Sequence, residues 1–228
     1  MADKPPVALE SRGEGEDGRR CSPSVARNRD PIRDVLAHVF ISPARVLEIA
    51  SGTGEHGAFL TCGLPGLHWT YSDLDGDSLI SQRAWQQADT TGRLAGPLRI
   101  DASTEDWSDA ESQAPWDAIF CANMVHIAPW PAAEGLIRGA GRLLRPGGLL
   151  ILYGPFARSG AMAPSNAAFD ESLKSRNRDW GVRDLDVEIS PLAQAAGLEL
   201  TAVTEMPANN LTVVFRRRKA LGSQPSVP

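Results

Sequence analysis

The apolar positions along this chain change period several times, and each change marks an element. From Asp30 to Phe40, the residues Ile32, Val35, Leu36, Val39 and Phe40 recur at helical spacing. Asp30 supplies an N-cap, Pro31 has the fixed φ that suits a first helical position, and Pro43 follows the end. A short apolar run, Val46–Ala50, then predicts a buried strand, and Glu55–Cys62 predicts a helix that Gly63 stops. The alternation continues with a strand over His68–Asp73, a helix over Ser78–Asp89 and a short strand over Leu98–Asp101. Trp116–Asn123 reads as a strand, Pro131–Leu144 as a helix ended by Arg145-Pro146-Gly147-Gly148, and Leu149–Tyr153 as another strand. Such alternation implies parallel pairing with helices on both faces of the sheet.

The last two strand-like runs, Leu198–Met206 and Asn210–Arg217, are separated only by Pro207-Ala208-Asn209. That connection is too short for a crossover helix, so the pair must be antiparallel. The expected fold is therefore α/β: a Rossmann-like, seven-stranded, mostly parallel sheet with an antiparallel C-terminal hairpin and helices on both faces. One domain over residues 25–218 is expected, with a lid-like insertion at about 154–190, since long connections in compact domains are usually functional. Residues 1–24 are rich in Pro, Gly, Glu and Arg and are expected to be a disordered extension; 219–228 are expected to be a flexible tail.

Composition narrows the function. A chain of 228 residues with 42% hydrophobic content can bury a full core as one domain. Its net charge of −5 provides no global basic field for nucleic acid, and Arg216-Arg217-Arg218-Lys219 reads as a solvated strand end. No apolar run reaches the ~20 residues of a membrane span, and no apolar leader opens the chain, so a cytoplasmic protein without a membrane is expected. Three scattered cysteines make no disulfide framework, and His38, His56, His68 and His126 show no metal-ligand spacing, so no metal is expected.

Candidate chemistry concentrates where the first strand ends, in Glu48-Ile49-Ala50-Ser51-Gly52-Thr53-Gly54-Glu55-His56. Gly52, Gly54 and Gly57 spell G-x-G-x-x-G, the dinucleotide fingerprint. Glu48 and Glu55, however, place negative charge where a pyrophosphate would need to sit, and that charge favours a ligand with cationic groups. S-adenosylmethionine (SAM) carries an ammonium and a sulfonium. The antiparallel hairpin argues the same way, because an ordinary dinucleotide domain lacks it.

Ligands of such sheets sit outside the carboxyl ends of the strands. The first strand offers Ala50, Gly52 and Gly54, with His56 just beyond. The second offers Asp73 and Leu74, where a carboxylate can accept from ribose hydroxyls, with Asp75 as its substitute. The third offers Asp101 and Ala102, placed to accept from an adenine amine. The fourth offers Asn123, Met124 and His126, and the fifth Tyr153 and Phe156. His126 has an ordinary pKa near neutrality and lies where a transferring methyl is expected, so it is either a base for the acceptor or a packed loop residue. The insertion adds Asn166, Phe169, Arg176, Asn177, Trp180 and Arg183. Arg176 or Arg183 would grip a carboxylate or phosphate, or the insertion's charges would pair internally.

These motifs resemble the family that includes methyltransferase-like protein 26, within the class I SAM-dependent methyltransferases. The resemblance runs from about residue 25 to 218. It rests on Arg27-Asn28-Arg29-Asp30-Pro31-Ile32, the strand and turn from Val46 to His56, Ser72-Asp73-Leu74-Asp75 and Asn123-Met124-Val125-His126. It continues in Tyr153-Gly154-Pro155-Phe156, Arg176-Asn177, Trp180-Gly181-Val182-Arg183-Asp184 and Met206-Pro207-Ala208-Asn209-Asn210. It implies SAM binding at Glu48, Gly52, Gly54, Asp73, Asp101 and Asn123. It also implies that the segment of Arg27, Asn28 and Arg29 folds over the cofactor's methionine end, with Arg27 or Arg29 on its carboxylate. The insertion, Asn209 and Asn210 would line the substrate side. Arg178 departs from the family, which has Pro there.

The reading that follows is a SAM-dependent methyltransferase acting on an oxygen or nitrogen of a small molecule, with His126 and Tyr153 as catalytic candidates. Three other readings stand beside it: a catalytically silent SAM-binding protein working through a partner, a macromolecule methyltransferase, and a dehydrogenase. No Asn-Pro-Pro-Tyr stretch follows the fourth strand, which weakens an amino-methylating nucleic-acid enzyme. Monomer and homodimer are both open.

Overall fold

A computed structural model describes residues 13–15 and 17–219. A two-residue ladder pairs β1 (Gly13–Glu14) with β2 (Arg20–Cys21). α1 (Pro23–Val39) leads into β3 (Ala44–Glu48), α2 (Glu55–Gly63), β4 (Leu67–Asp73), α3 (Gly76–Gln87) and β5 (Leu94–Arg99). Then come α4 (Ser108–Glu111), β6 (Trp116–Ala122), α5 (Trp130–Leu143), β7 (Leu144–Gly154), α6 (Pro164–Arg176), α7 (Ser190–Ala195), β8 (Leu198–Met206) and β9 (Asn210–Arg217).

Seven strands form one sheet in the order β5-β4-β3-β6-β7-β9-β8. β5, β4, β3, β6 and β7 pair in parallel, while β9 enters antiparallel between β7 and β8. The fold is thus the expected mostly parallel sheet with an antiparallel C-terminal hairpin. Successive strand residues alternate between two cores, as a period of two requires. Ile119, Cys121, Leu150 and Leu152 join one core with the α5 residues Leu136 and Ile137. Ala118, Phe120, Ile151 and Tyr153 join the other with Ile32 and Leu36 of α1 and Leu60 of α2. The strand order reverses between β3 and β6, and such switch points open a crevice at the strands' carboxyl ends.

Two expectations change. The first helix starts at Pro23 and runs through Pro31 rather than starting there. The expected disorder up to residue 24 therefore does not hold for residues 13–15 and 17–24, which form a two-strand ladder, its turn and the helix start. The rest of that expectation, like most of the expected tail, lies outside the described residues. The seventh-strand neighbour β7 also begins earlier than Leu149, at Leu144, because Leu144 pairs with Trp116 before an irregular stretch at Pro146-Gly147. Among the described residues, no helix is long and apolar enough to cross a membrane, and no group of three or more His, Cys, Asp or Glu is placed to hold a metal ion.

Candidate active site

A cavity of about 660 Å³ opens over the carboxyl ends of β3, β6 and β7. One wall is α1 and the turn after β3; the opposite wall is α6 with Pro207, Ala208 and Asn210. The turn after β3 holds Ala50, Gly52 and Gly54 at φ of 57°, 56° and 85°. Gly52 tolerates this because it has no Cβ, which also leaves its backbone bare toward the cavity. Its N–H donates to Asp73 Oδ2 at 2.8 Å, and its carbonyl accepts from Gln82 Nε2 at 3.0 Å. The carbonyl of Gly54 accepts from the Tyr71 hydroxyl at 2.7 Å. The third glycine of the motif has a different task. A Cβ on Gly57 would overlap the rings of Tyr71 and Trp69, so Gly57 sets how closely α2 packs on β4.

Four polar side chains form a chain along the first wall. Glu48, 1% exposed, accepts from Trp69 Nε1 at 2.9 Å. Burial pushes its carboxyl up to about 8, against the pull of the Trp69 and Ser51 hydrogen bonds. His56 Nδ1 lies 4.0 Å from Glu48 Oε1, and His56 Nε2 donates to Asn28 Oδ1 at 2.8 Å. Burial, with help from the charge of Arg29, drops the His56 imidazole to about 4, so it is neutral. Asn28 in turn hydrogen-bonds the Tyr153 hydroxyl. With its oxygen given to His56, Asn28 offers Tyr153 its amide N–H, which leaves the tyrosine's own proton free to point elsewhere. Burial holds the Tyr153 hydroxyl above its ordinary range.

Glu55 does not face the ligand side as the sequence suggested. Its carboxylate accepts from Arg29 Nη1 at 2.9 Å and from the Ser22 N–H at 3.0 Å. It anchors the start of α1 instead, and its charge no longer bears on which ligand the turn prefers. Arg29 is committed to Glu55 and lies over the Phe59 ring, off the cavity wall.

The structure brings Arg27, Asn28, Glu48, Ala50, Gly52, His56, Asn123 and Tyr153 to the wall, together with Asn166, Phe169, Arg176 and Asn210. Other expected residues lie off it. Gly54 turns toward Gln82 and Trp85. Asp73 is 9% exposed, with its second oxygen accepting from the Asp75 N–H at 3.0 Å. Leu74 is exposed at 53%. Asp101 accepts from the Ser103 N–H and hydroxyl at 2.8 and 2.6 Å, and neither it nor Ala102 lines the cavity. Asp75, the substitute for Asp73, caps α3 by accepting from the Ser78 N–H.

The largest correction concerns His126. It is fully buried, and its Nδ1 accepts from the backbone N–H of Arg183 at 3.1 Å. The proton therefore sits on Nε2, which has no hydrogen-bond partner and faces Gly154. The ring stacks edge-on against Phe156 at 4.6 Å, and burial drops its pKa to about 3. His126 ties a turn to the insertion and does not reach the cavity. Arg183 is likewise spent, donating to the carbonyls of Val125, Ala128 and Asp179 at 2.8–3.0 Å. Met124, Phe156 and Trp180 are buried off the wall. Asn177 closes a turn by accepting from the Asp179 N–H, and Asn209 donates to Ser165 Oγ.

Sequence reasoning missed Ser22, Ser24 and Val25, which line the cavity because α1 begins early. A signal was available: Ser22-Pro23 repeats the capping residue and proline of Asp30-Pro31. Ile127, Ser165 and Ser172 also reach the wall, and nothing in their local sequence marks them.

The model of a family described as "Protein of unknown function (DUF938)" matches residues 19–217. A ubiquinone biosynthesis O-methyltransferase from Thiobacillus denitrificans is 28% identical over 178 residues, covering 75% of this chain and 72% of the relative. Among solved structures, an O-methyltransferase family protein from Burkholderia thailandensis superposes with a TM-score of 0.72 at 19% identity, covering 86% of this chain and 58% of the other. Human N-acetylserotonin methyltransferase in complex with SAM superposes at 0.69 with 14% identity, covering 86% and 53%. The chain thus spans just over half the length of these structures. Its fold is the Rossmann-like one that they share.

Proposed function

The chain belongs to the DUF938 family, and we propose that it is a SAM-dependent methyltransferase acting on an oxygen of a small molecule. The carrying observation is the cavity itself: about 660 Å³ at the switch point of the sheet, floored by a bare glycine turn and walled by polar groups of matching chemistry. That volume suits a nucleoside-sized cofactor beside a small acceptor. The relatives support the reading, since the curated one is named an O-methyltransferase and a solved one holds SAM. The closer kinship with methyltransferase-like protein 26 is part of the proposal and rests on the shared motifs alone.

The donor set fits SAM. Glu48 offers a carboxyl to an ammonium, Arg27 a guanidinium to a carboxylate, and Asn123 and the Gly52 backbone offer polar contacts. Asp73, at the second strand end, contributes by holding the Gly52 N–H and so the shape of the turn. When bound, SAM supplies a methyl group on a sulfonium. The chain's own contribution is to hold the acceptor in line with that methyl, and positioning of this kind can lower a barrier by about 7–11 kcal/mol. Tyr153 donates its free proton to orient the acceptor; α6 covers it. His126 acts as a positioning residue for the insertion.

The test is transfer of label from methyl-tritiated SAM to the components of a cell extract. Label in products of low mass is expected. Label in protein or nucleic acid would overturn the small-molecule reading, and binding without transfer would favour the silent SAM-binding reading.

A further inference from the structure

Resting on that reading, we infer that the acceptor is a small carboxylic acid, held through its carboxylate by Arg176 and methylated on a carboxylate oxygen. The first observation is charge. The chain carries −5 overall, yet its cavity wall has two arginines, Arg27 on α1 and Arg176 at the end of α6. Arg27 lies close enough to Tyr153 to act on its hydroxyl and belongs to the cofactor side. Arg176 stands on the opposite wall, exposed, and shows no partner among the described residues. Among the described residues, Glu48 is the one carboxyl on the wall; it is buried and bonded to Trp69 and makes no ion pair with Arg176.

The second observation is the lack of a proton acceptor on the wall, among the described residues. The groups that titrate there, other than the arginines, are Glu48, His56 and Tyr153. His56 points one nitrogen at Asn28 and the other at Glu48. Tyr153 receives a hydrogen bond from Asn28 and keeps its own proton. An alcohol or phenol must lose a proton to be methylated, and a phenol with a pKa of about 10 is ionised only about one part in a thousand at pH 7. A carboxylic acid with a pKa of about 4 is almost wholly ionised there. In the step, a carboxylate oxygen lone pair forms the new O–CH3 bond as the S–CH3 bond breaks. Its electron pair goes to sulfur, leaving a methyl ester and a thioether, and no proton moves. Phe169 and Ile127 line the same space and suit an apolar body on the acid.

The experiment treats the tritium-labelled small products with alkali. Methyl esters hydrolyse and release volatile labelled methanol; methyl ethers and N-methyl groups do not. Release of most of the label is expected. Label that survives alkali overturns the carboxylate assignment while leaving the methyltransferase reading intact; no label in any small molecule overturns that reading and this one together. A binding readout runs beside it. Metabolites retained by the protein without SAM are identified by mass, and carboxylates are expected to be lost from Arg176→Gln. Retention of neutral compounds, unchanged in that variant, contradicts the inference. Arg176→Gln should raise the acceptor KM at least about tenfold, leave the SAM Kd unchanged, and be partly rescued by Arg176→Lys.

Discussion

On the α1, β3 and α2 side of the cavity, polar side chains bond to one another and still present an edge to open space. On the insertion side, the polar residues most prominent in the sequence are consumed by the backbone. Glu48, His56, Asn28 and Tyr153 form the first set. His126 and Arg183 form the second, tied to each other and to the carbonyls of Val125, Ala128 and Asp179. A regular sheet end directs its residues into the crevice. An irregular insertion must first satisfy its own amides and carbonyls, and its long polar side chains do that work. Of the insertion's described residues, those that reach the cavity come from its regular part, α6 (Ser165, Asn166, Phe169, Ser172 and Arg176), apart from Pro155 beside the end of β7.

The sharpest break between the two sides should come from His126→Ala. It removes a ring packed on Phe156 and leaves the Arg183 N–H without its acceptor. Stability should fall by about 3 kcal/mol in chemical denaturation, while SAM affinity stays within twofold. Were His126 the base, stability would hold and turnover alone would collapse.

Glu48→Gln tests the other side and should act in the opposite direction. The folded pKa of about 8 lies above the ordinary 4.5, so the folded state keeps a proton that the unfolded chain gives up. That contribution to stability is fully present below pH 4.5 and is lost as the pH rises through 8. Gln keeps an acceptor for Trp69 and carries no such penalty. The variant should therefore match the wild type near pH 4 and exceed it by roughly 3 kcal/mol near pH 7, measured as melting curves across pH. Its SAM affinity should fall. A variant advantage that does not grow with pH would contradict the burial of Glu48 as described.

The smallest effect concerns Ala50, which holds a left-handed φ of 57° on the cavity wall. Ala50→Gly relieves about 1–2 kcal/mol of strain and loses about 0.4–1 kcal/mol through the freer unfolded chain. A net gain of about 0.5 kcal/mol, or a melting temperature higher by about 1–2 °C, is expected.

The same contrast explains what the sequence disclosed. Strand periodicity located β3, β4, β6 and the C-terminal hairpin, and with them Glu48, Gly52, Asn123 and Tyr153. The short link through Pro207 fixed the antiparallel direction. Local pattern did not reveal that Glu55 turns back to anchor α1, because Arg29 and Ser22 meet it only once α1 packs on α2. Nor did it separate Arg176 from Arg183: both are arginines in one polar stretch, and only the path of the chain after α6 decides which meets carbonyls and which meets the cavity. His126 was misleading for a related reason. Its position beyond a strand end was right, but the 3-10 turn over Met124–His126 swings its ring under Gly154 and away from the crevice.

Calorimetric titration of the wild-type protein with SAM, in two buffers of different ionisation enthalpy at pH 7, tests the central claim most directly. The ammonium is expected to meet a protonated Glu48 and displace its proton. The account predicts one SAM per chain, bound with net release of protons, and no comparable binding of NAD. Absence of binding at hundredfold excess of SAM, or equal binding of NAD, would contradict it.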